Sequence, residues 1–172
     1  MLIEISIGEG LDRLSILEIK QKEIKDINKQ LHITNEIHSL SVLLKDKETY
    51  LYYYNLLMDV NTDIWHSTNT IKSMTVHTPE FGILANTIFE LNQSRFRLKQ
   101  IINRLSQSLI QEQKSYEKTY IDIVLTDLEP IDIPTFSKLS LNYDCVRIHC
   151  SYEKSLEFEQ TVPKFNYMFT HP

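Results

Sequence analysis

One periodic stretch limits the fold of this chain more than any other feature. Its core-forming positions recur with alternating steps of four and three residues: Leu84, Ile88, Leu91, Arg95, Leu98, Ile102, Leu105 and Leu109. The preceding Thr78-Pro79-Glu80 is typical of a helix start, because it offers a capping hydroxyl, a proline and an acidic side chain in the first turn. The pattern predicts one helix of about 35 residues, whose seam packs against an antiparallel partner helix.

Two further helices are predicted upstream of this one. Ser6 and Glu9 fit a capping box that opens a helix ending near Asn28. Thr34 is a candidate cap for a second helix, which runs from residue 35 to about residue 74 with a break near residues 45–47. Residues 2–6 alternate in polarity and fit a short strand or an extended arm.

The pattern changes after residue 117. Short β-branched runs at 120–125 and 145–149, with a third at 165–169, indicate strands, and the stretches 136–143 and 152–162 between them favour helices. We therefore expect a mainly α fold in two domains. Residues 1–117 would form a long antiparallel bundle of three main helices, and residues 118–172 a small C-terminal α/β unit.

Composition excludes several classes of function. Only 3 of the 172 residues are glycine, so the chain has neither a phosphate-binding loop nor a dinucleotide-binding turn, and no cofactor is predicted. Residues 1–117 hold 13 Lys and Arg against 15 Asp and Glu, a net charge of −2, and residues 118–172 hold 5 against 8, a net charge of −3. Neither part is basic enough to predict a nucleic-acid partner.

Cysteine usage and hydropathy bear on location. Cys145 and Cys150 are too few for a disulfide framework. The longest apolar runs are far shorter than the roughly 20 residues that a membrane-spanning helix needs. With no recognisable signal peptide, we expect a cytoplasmic protein with free thiols.

A resemblance to a known family rests on residues 8–20, which read Gly-Glu-Gly-Leu-Asp-Arg-Leu-Ser-Ile-Leu-Glu-Ile-Lys. This stretch resembles the opening motif, G-E-x-L-D-K/R-L-S/T-I-L-E-I-K, of an uncharacterised bacterial family whose function is unknown. Further similar segments are Asn61 with Ile64-Trp65, Phe81-Gly82, the positions Asn92, Arg95, Leu98, Lys99, Ile102 and Asn103, and Lys114-Ser115-Tyr116. The resemblance covers residues 1–117 and implies a link to cell-surface glycan or lipopolysaccharide synthesis.

The chain departs from the family pattern just after the tryptophan. The resemblance implies Glu-Asp at this point, whereas Thr68 and Asn69 stand here. Any chemistry that those two acids perform in relatives is therefore in doubt for this chain.

The candidate ligand site consists of side chains on the predicted helices: Asp12, Glu18, Lys20, Asn61, Trp65, Asn92 and Arg95. In one interpretation they line a pocket between helices that binds an anionic or sugar ligand, with Arg95 as a fork for a carboxylate or phosphate. In the other, Arg95 is the buried partner of Asp12 or Glu18 and fixes the helix register. Because buried charges normally occur as pairs, the sequence favours the second.

An acidic cluster follows the first predicted strand. Asp127 and Glu129 are weak candidate ligands for a hard divalent cation, although acidic loop residues are usually only solvated. Cys145, His149 and Cys150 lack the spacing of a zinc site, and neighbours on a strand point to opposite faces, which disfavours a catalytic Cys–His pair.

The sequence thus favours a non-catalytic helical interaction or assembly domain. Its long seam and tyrosine-rich surface predict self-association, most simply as a dimer. A different protein partner is also compatible with these surfaces. The alternative is an enzyme that binds a sugar or nucleotide-sugar in a pocket between helices around Arg95.

Overall fold

A computed structural model describes residues 4–110, 112 and 118–171. The chain divides into two compact units, 1–112 and 113–172, and each is described by itself. Two predictions fall at the edges of the described residues: residues 4–6 have no regular secondary structure, whereas residues 2–3 and the similar segment at 114–116 lie outside the described part. Across the described residues, no helix has both the length and the apolar character that a membrane crossing requires.

The first unit is helical. Its helices pack mainly through three pairs, α1 with α4, α1 with α5, and α4 with α5. Its elements are α1 (Ile7–Glu23), α2 (Ile27–Ser39), a 3-10 turn (Ser41–Leu43), α3 (Leu44–Thr49), α4 (Leu51–Ile71) and α5 (Pro79–Leu105).

The predicted bounds of the first two helices are wrong. The chain leaves the first helix at Ile24, whose backbone is extended, and Asp26 then caps α2 by accepting from the Lys29 amide at 2.9 Å. Thr34 lies inside α2 and caps nothing. The second predicted helix is really the end of α2, the 3-10 turn, α3 and α4. Local capping by Asp26 outweighed the apolar spacing that suggested continuity.

Two predicted helix starts are confirmed. Ser6 accepts from the Glu9 amide at 3.1 Å, and Thr78 accepts from the Phe81 amide at 3.2 Å. The other half of the capping box does not form, because the Glu9 carboxylate pairs with Lys99 instead. A long-range ion pair has thus replaced a local backbone contact.

Helix α5 has 27 residues and is shorter than predicted. It ends in a Schellman turn, in which the Ser108 amide donates to the Asn103 carbonyl at 2.8 Å and the Gln107 amide to the Arg104 carbonyl at 3.2 Å. Gln107 takes the left-handed backbone conformation, with φ at 53°, that glycine usually supplies. Leu109, the last residue of the periodic seam, therefore lies outside the helix and is 98% exposed.

The second unit contains β1 (Tyr120–Val124), α6 (Ile133–Asn142), β2 (Cys145–His149), α7 (Tyr152–Thr161) and β3 (Tyr167–Thr170). The three strands form a parallel sheet in the order β1-β2-β3, with Ile121 paired to Val146 and Val146 to Tyr167. The predicted alternation of strands and helices is confirmed. The core of this second unit is one apolar cluster, formed by Leu125, Phe136, Val146, Ile148, Cys150, Phe158 and Val162.

Candidate functional site

An ion pair joins α1 to α5 within the helical unit. The Asp12 side chain is 1% exposed. Arg95 donates to it twice, from Nε to Oδ1 at 2.8 Å and from Nη2 to Oδ2 at 2.5 Å. These hydrogen bonds raise the pKa of Arg95 above its usual value despite partial burial, so the guanidinium stays charged. Of the two partners that the sequence left open, the structure therefore pairs Arg95 with Asp12 and not with Glu18.

Asn61 on α4 joins this pair. Its Nδ2 donates to Asp12 Oδ1 at 2.9 Å and to Ser15 Oγ at 2.7 Å, and the Ser15 hydroxyl donates to the Asp12 main-chain oxygen at 2.7 Å. Asn61 is 4% exposed and Ser15 is fully buried. A hydrogen-bonded network of this kind fixes the relative position of three helices, because any slip would leave a buried polar atom without a partner.

A second cation lies beside the pair. Lys99 Nζ contacts Glu9 at 2.9 Å and Glu112 at 2.7 Å, with its side chain 11% exposed. Burial is the largest single effect and lowers the pKa of Lys99, but the hydrogen bonds and charges of the two glutamates outweigh it and raise the pKa. Next to it, the Gly8 amide donates to Asn103 Oδ1 at 2.8 Å, which satisfies a free donor of the first turn of α1.

A cleft of about 240 Å³ opens next to Arg95. It has an aromatic wall, two amides, a hydroxyl and two cationic side chains. Its lining residues are Ile16 and Ile19 on α1, Asn61, Ile64, Trp65, Thr68 and Asn69 on α4, Lys72 just after α4, and Arg95 on α5. Arg95 therefore belongs both to the buried ion pair and to the wall of the cleft.

The structure brings four of the candidate site residues together, namely Asp12, Asn61, Trp65 and Arg95. The other three lie elsewhere. Glu18 pairs with Lys47 on α3 at 2.7 Å, Asn92 donates to the Ile88 carbonyl of its own helix at 2.8 Å, and Lys20 is absent from the lining of the cleft.

Sequence reasoning missed three polar cleft residues, Thr68, Asn69 and Lys72. A signal for them exists, since they follow Trp65 by three, four and seven positions, which is the spacing of one helix face. The sequence drew attention to Thr68 and Asn69 only as departures from the family pattern. In this chain the two positions give the cleft a neutral wall where the resemblance implies an acidic one.

The acidic loop of the second unit has partners within the protein. Asp127 accepts from the Ser151 hydroxyl at 2.6 Å, and Glu129 accepts from the Thr126 amide at 2.8 Å. The latter bond lowers the pKa of Glu129. Across the described residues, no group of three or more His, Cys, Asp or Glu side chains is arranged to hold a metal ion.

A wider cleft of about 510 Å³ lies at the carboxyl ends of the three strands. Asp127, His149, Ser151 and His171 are among its polar lining residues. The ring nitrogens of His149 contact Asp122 Oδ1 at 2.9 Å and Thr170 Oγ1 at 2.6 Å. His149 thus ties the three strands together through its own neighbours.

Comparison with known families adds one match. Residues 1–126 match the profile of a family of unknown function, DUF6165. The chain belongs to this family. Membership in DUF6165 confirms the family resemblance inferred from the sequence, and the match extends beyond residue 117 to include strand β1. Neither the curated proteins nor the solved structures contain a match to the chain.

Proposed function

We propose that the helical unit binds a small anionic sugar derivative in the cleft beside Arg95. The observation that carries this proposal is that Asp12 contacts only two of the three guanidinium nitrogens of Arg95. Nε and Nη2 are held by buried Asp12, whereas Nη1 has no hydrogen-bond partner among the described residues. A guanidinium positioned by one carboxylate is preorganised to donate to a second acidic group.

The other lining residues complement such a ligand. Lys72 is exposed and has no ion-pair partner among the described residues, so it adds a positive charge that Asp12 does not neutralise. Trp65 offers an aromatic face for the apolar side of a sugar ring. Thr68 and Asn69 supply a hydroxyl and an amide to pair with sugar hydroxyls.

The size of the cleft limits the ligand. At about 240 Å³ it lies below the range of roughly 300–1,000 Å³ that is usual for drug-sized ligands. One sugar ring with a single phosphate or carboxylate suits this volume, and a nucleotide-sugar exceeds it. Of the two ligand classes in the alternative drawn from the sequence, we therefore favour the simple sugar acid or sugar phosphate.

A thermal-shift and calorimetric series tests the proposal. A hexose phosphate, a hexuronate and the neutral hexose are compared on the wild-type protein and on Lys72→Ala, with Lys29→Ala on α2 as the matched control. We expect the two anionic sugars to stabilise the wild type and Lys29→Ala, and Lys72→Ala to bind about tenfold more weakly, since it loses one charge-assisted contact. No response to either anion, or equal responses from both lysine variants, would contradict the proposal.

A second candidate is the non-catalytic assembly domain that the sequence favoured, including self-association and a link to glycan synthesis in the cytoplasm. Exposed apolar side chains on the helical unit, among them Leu31, Ile83 and Phe89, support an interaction role. The long antiparallel bundle remains part of this proposal. It is supported by contacts that run in opposite directions along α1 and α5, from Gly8 with Asn103 to Asp12 with Arg95.

A further inference from the structure

The second unit contains a cleft that the proposed function does not use. Because its three strands are parallel, the chain leaves all of them at the same edge of the sheet. Asp127 follows β1, Ser151 follows β2 and His171 follows β3, and all three line the cleft at this edge. Its volume of about 510 Å³ lies within the range of roughly 300–1,000 Å³ that is usual for small-molecule sites.

Several polar side chains of this cleft are already hydrogen-bonded within the protein. The two ring nitrogens of His149 contact Asp122 at 2.9 Å and Thr170 at 2.6 Å. The Ser151 hydroxyl donates to Asp127 Oδ1 at 2.6 Å. These contacts engage the side-chain donors of His149 and Ser151, so neither donor is available to a ligand.

Two side-chain acceptors of the cleft remain open. Asp127 accepts through Oδ1, and its Oδ2 has no hydrogen-bond partner among the described residues. His171 Nδ1 lies 3.1 Å from the main-chain oxygen of Cys150, which can only accept, so Nδ1 carries the proton. In the neutral imidazole Nε2 is then an acceptor, and it has no partner within the described part of the chain. The cleft therefore suits a ligand that donates hydrogen bonds.

The charge of the cleft is negative. Its lining residues, all within the described part of the chain, include Asp127 but neither Lys nor Arg. Burial raises the pKa of the Cys150 thiol in the cleft wall, and the Asp127 charge raises it further against an opposing effect of Lys154. Lys154 is itself paired with Glu157 at 3.0 Å. The carboxylate of Asp127 is thus the dominant charge at the cleft, and it favours a cationic ligand.

The start of α7 does not reverse this polarity. Helix N-termini attract anions, and Ser151 caps α7 by accepting from the Lys154 amide at 3.2 Å. Asp127 is hydrogen-bonded to the same Ser151 hydroxyl, so a carboxylate of the protein already lies at this helix end. An anionic ligand would meet a like charge there, whereas an ammonium group would meet an opposite one.

The remaining side-chain surface of the cleft is largely apolar. Val124, Leu125 and Cys150 line it, and the Val124 side chain is 73% exposed. An aliphatic stem that covers this surface would remove apolar area from water. The cleft therefore combines a negatively charged group with an apolar wall.

We propose that this cleft binds a small molecule that carries a primary ammonium group on an apolar stem. An ammonium group has three donors and no acceptor, which matches the open acceptors Asp127 Oδ2 and His171 Nε2. Its hydrogen bond to the carboxylate would be charge-assisted. The inference is independent of sugar binding, because the two clefts share no lining residue.

Three probes with the same stem test this inference on the full chain labelled with ¹⁵N. Pentylamine, pentanol and pentanoate are titrated separately and followed by amide chemical shifts in NMR. We expect saturable shifts at the cleft residues for pentylamine, with a dissociation constant of about 0.1–10 mM. Pentanol should bind about tenfold more weakly, since it lacks the charge-assisted contact, and pentanoate should not bind.

A lysine side chain carries the same ammonium group as pentylamine. N-acetyl-lysine methylamide is therefore titrated as a fourth probe. Its binding at the same amides would also support the site, and an affinity above that of pentylamine would identify a peptide as the source of the amine.

The decisive variant is Asp127→Asn, which removes the charge but keeps an oxygen that can accept from Ser151. It should bind pentylamine about tenfold more weakly and pentanol as the wild type does. The matched control is Glu159→Gln on α7, which makes the same charge change at an exposed residue outside the cleft lining and should leave both affinities unchanged.

Three results would overturn the proposal. They are the absence of saturable shifts at the cleft amides, binding of pentanoate as tight as that of pentylamine, and equal pentylamine affinities in Asp127→Asn and Glu159→Gln. The first two are measured on the wild type alone, so they decide the matter even where Asp127→Asn does not fold.

Discussion

Arg95 donates a hydrogen bond to each carboxylate oxygen of Asp12, although the two residues lie 83 positions apart in the chain. The carboxylate is almost fully buried, whereas the Arg95 side chain keeps 26% of its surface exposed. One end of the contact is therefore structural and the other faces the cleft. The two interpretations that the sequence offered for Arg95 are thus compatible, because the same side chain can hold α1 and line a binding site.

Removing Arg95 should destabilise the helical unit. Arg95→Ala leaves the Asp12 carboxylate buried with Asn61 as its remaining side-chain partner, and we expect a loss of about 3 kcal/mol in the free energy of unfolding. Urea denaturation followed by circular dichroism measures it. The control is Arg13→Ala, whose pair with Glu36 is exposed and should cost less than about 1 kcal/mol. Equal losses in the two variants would show that burial of Asp12 contributes little.

Two glycines predict opposite effects of the same substitution. A Cβ at Gly8 would lie 2.6 Å from Asn103 Oδ1 and 2.6 Å from the Lys99 carbonyl oxygen, whereas a Cβ at Gly82 meets nothing within 4 Å. Gly8→Ala should therefore lower the free energy of unfolding by about 1–3 kcal/mol through overpacking. Gly82→Ala should raise it by up to about 1 kcal/mol through helix propensity. Thermal denaturation of both variants tests the close packing of α1 on α5, which a tolerated Gly8→Ala would contradict.

Tyr54 predicts an alkaline limit to stability. Burial raises the pKa of its phenol well above the usual value, and the nearby Glu18 carboxylate raises it further. Because the folded-state pKa lies above the unfolded value of about 10, the phenol ionises first in the unfolded chain. The contribution of the neutral phenol to the free energy of unfolding is therefore complete below pH 10 and is lost as the pH rises above it.

The variant Tyr54→Phe isolates that effect. Its phenyl ring cannot ionise, so its stability should fall less steeply than that of the wild type above pH 10, by up to about 1.4 kcal/mol per pH unit. Tyr52→Phe, at a side chain that is 39% exposed, serves as the control. Parallel pH profiles for wild type and Tyr54→Phe would refute the prediction.

The sequence predicted those parts of the fold that depend on local chemistry. The sequence predicts strand β2 at its observed bounds and the caps at Ser6 and Thr78, because each depends on a few neighbouring residues. The sequence does not predict the end of α5, because Gln107 adopts a backbone conformation that glycine usually supplies. A search for a glycine that ends the helix cannot find such a turn.

The site was predictable only in part, for a different reason. Asp12, Asn61 and Arg95 stand out in the sequence as polar residues on otherwise apolar helices, and the structure brings these three together. Which carboxylate pairs with Arg95 depends on how α1 lies against α5, and that follows from packing over the whole unit rather than from spacing along one helix. Glu18 has the same chemistry as Asp12 but contacts Lys47 on α3.

The most direct test of ligand binding uses Trp65, the single tryptophan of the chain, which lines the cleft. Its fluorescence is recorded while a hexose phosphate or a hexuronate is added to the wild type, to Lys72→Ala and to the control Lys29→Ala. We predict a saturable change in emission for the wild type and Lys29→Ala, and a curve shifted to about tenfold higher ligand concentration for Lys72→Ala. Emission that stays constant through a titration in which calorimetry detects binding would place the ligand elsewhere and contradict the assignment of the Arg95 cleft.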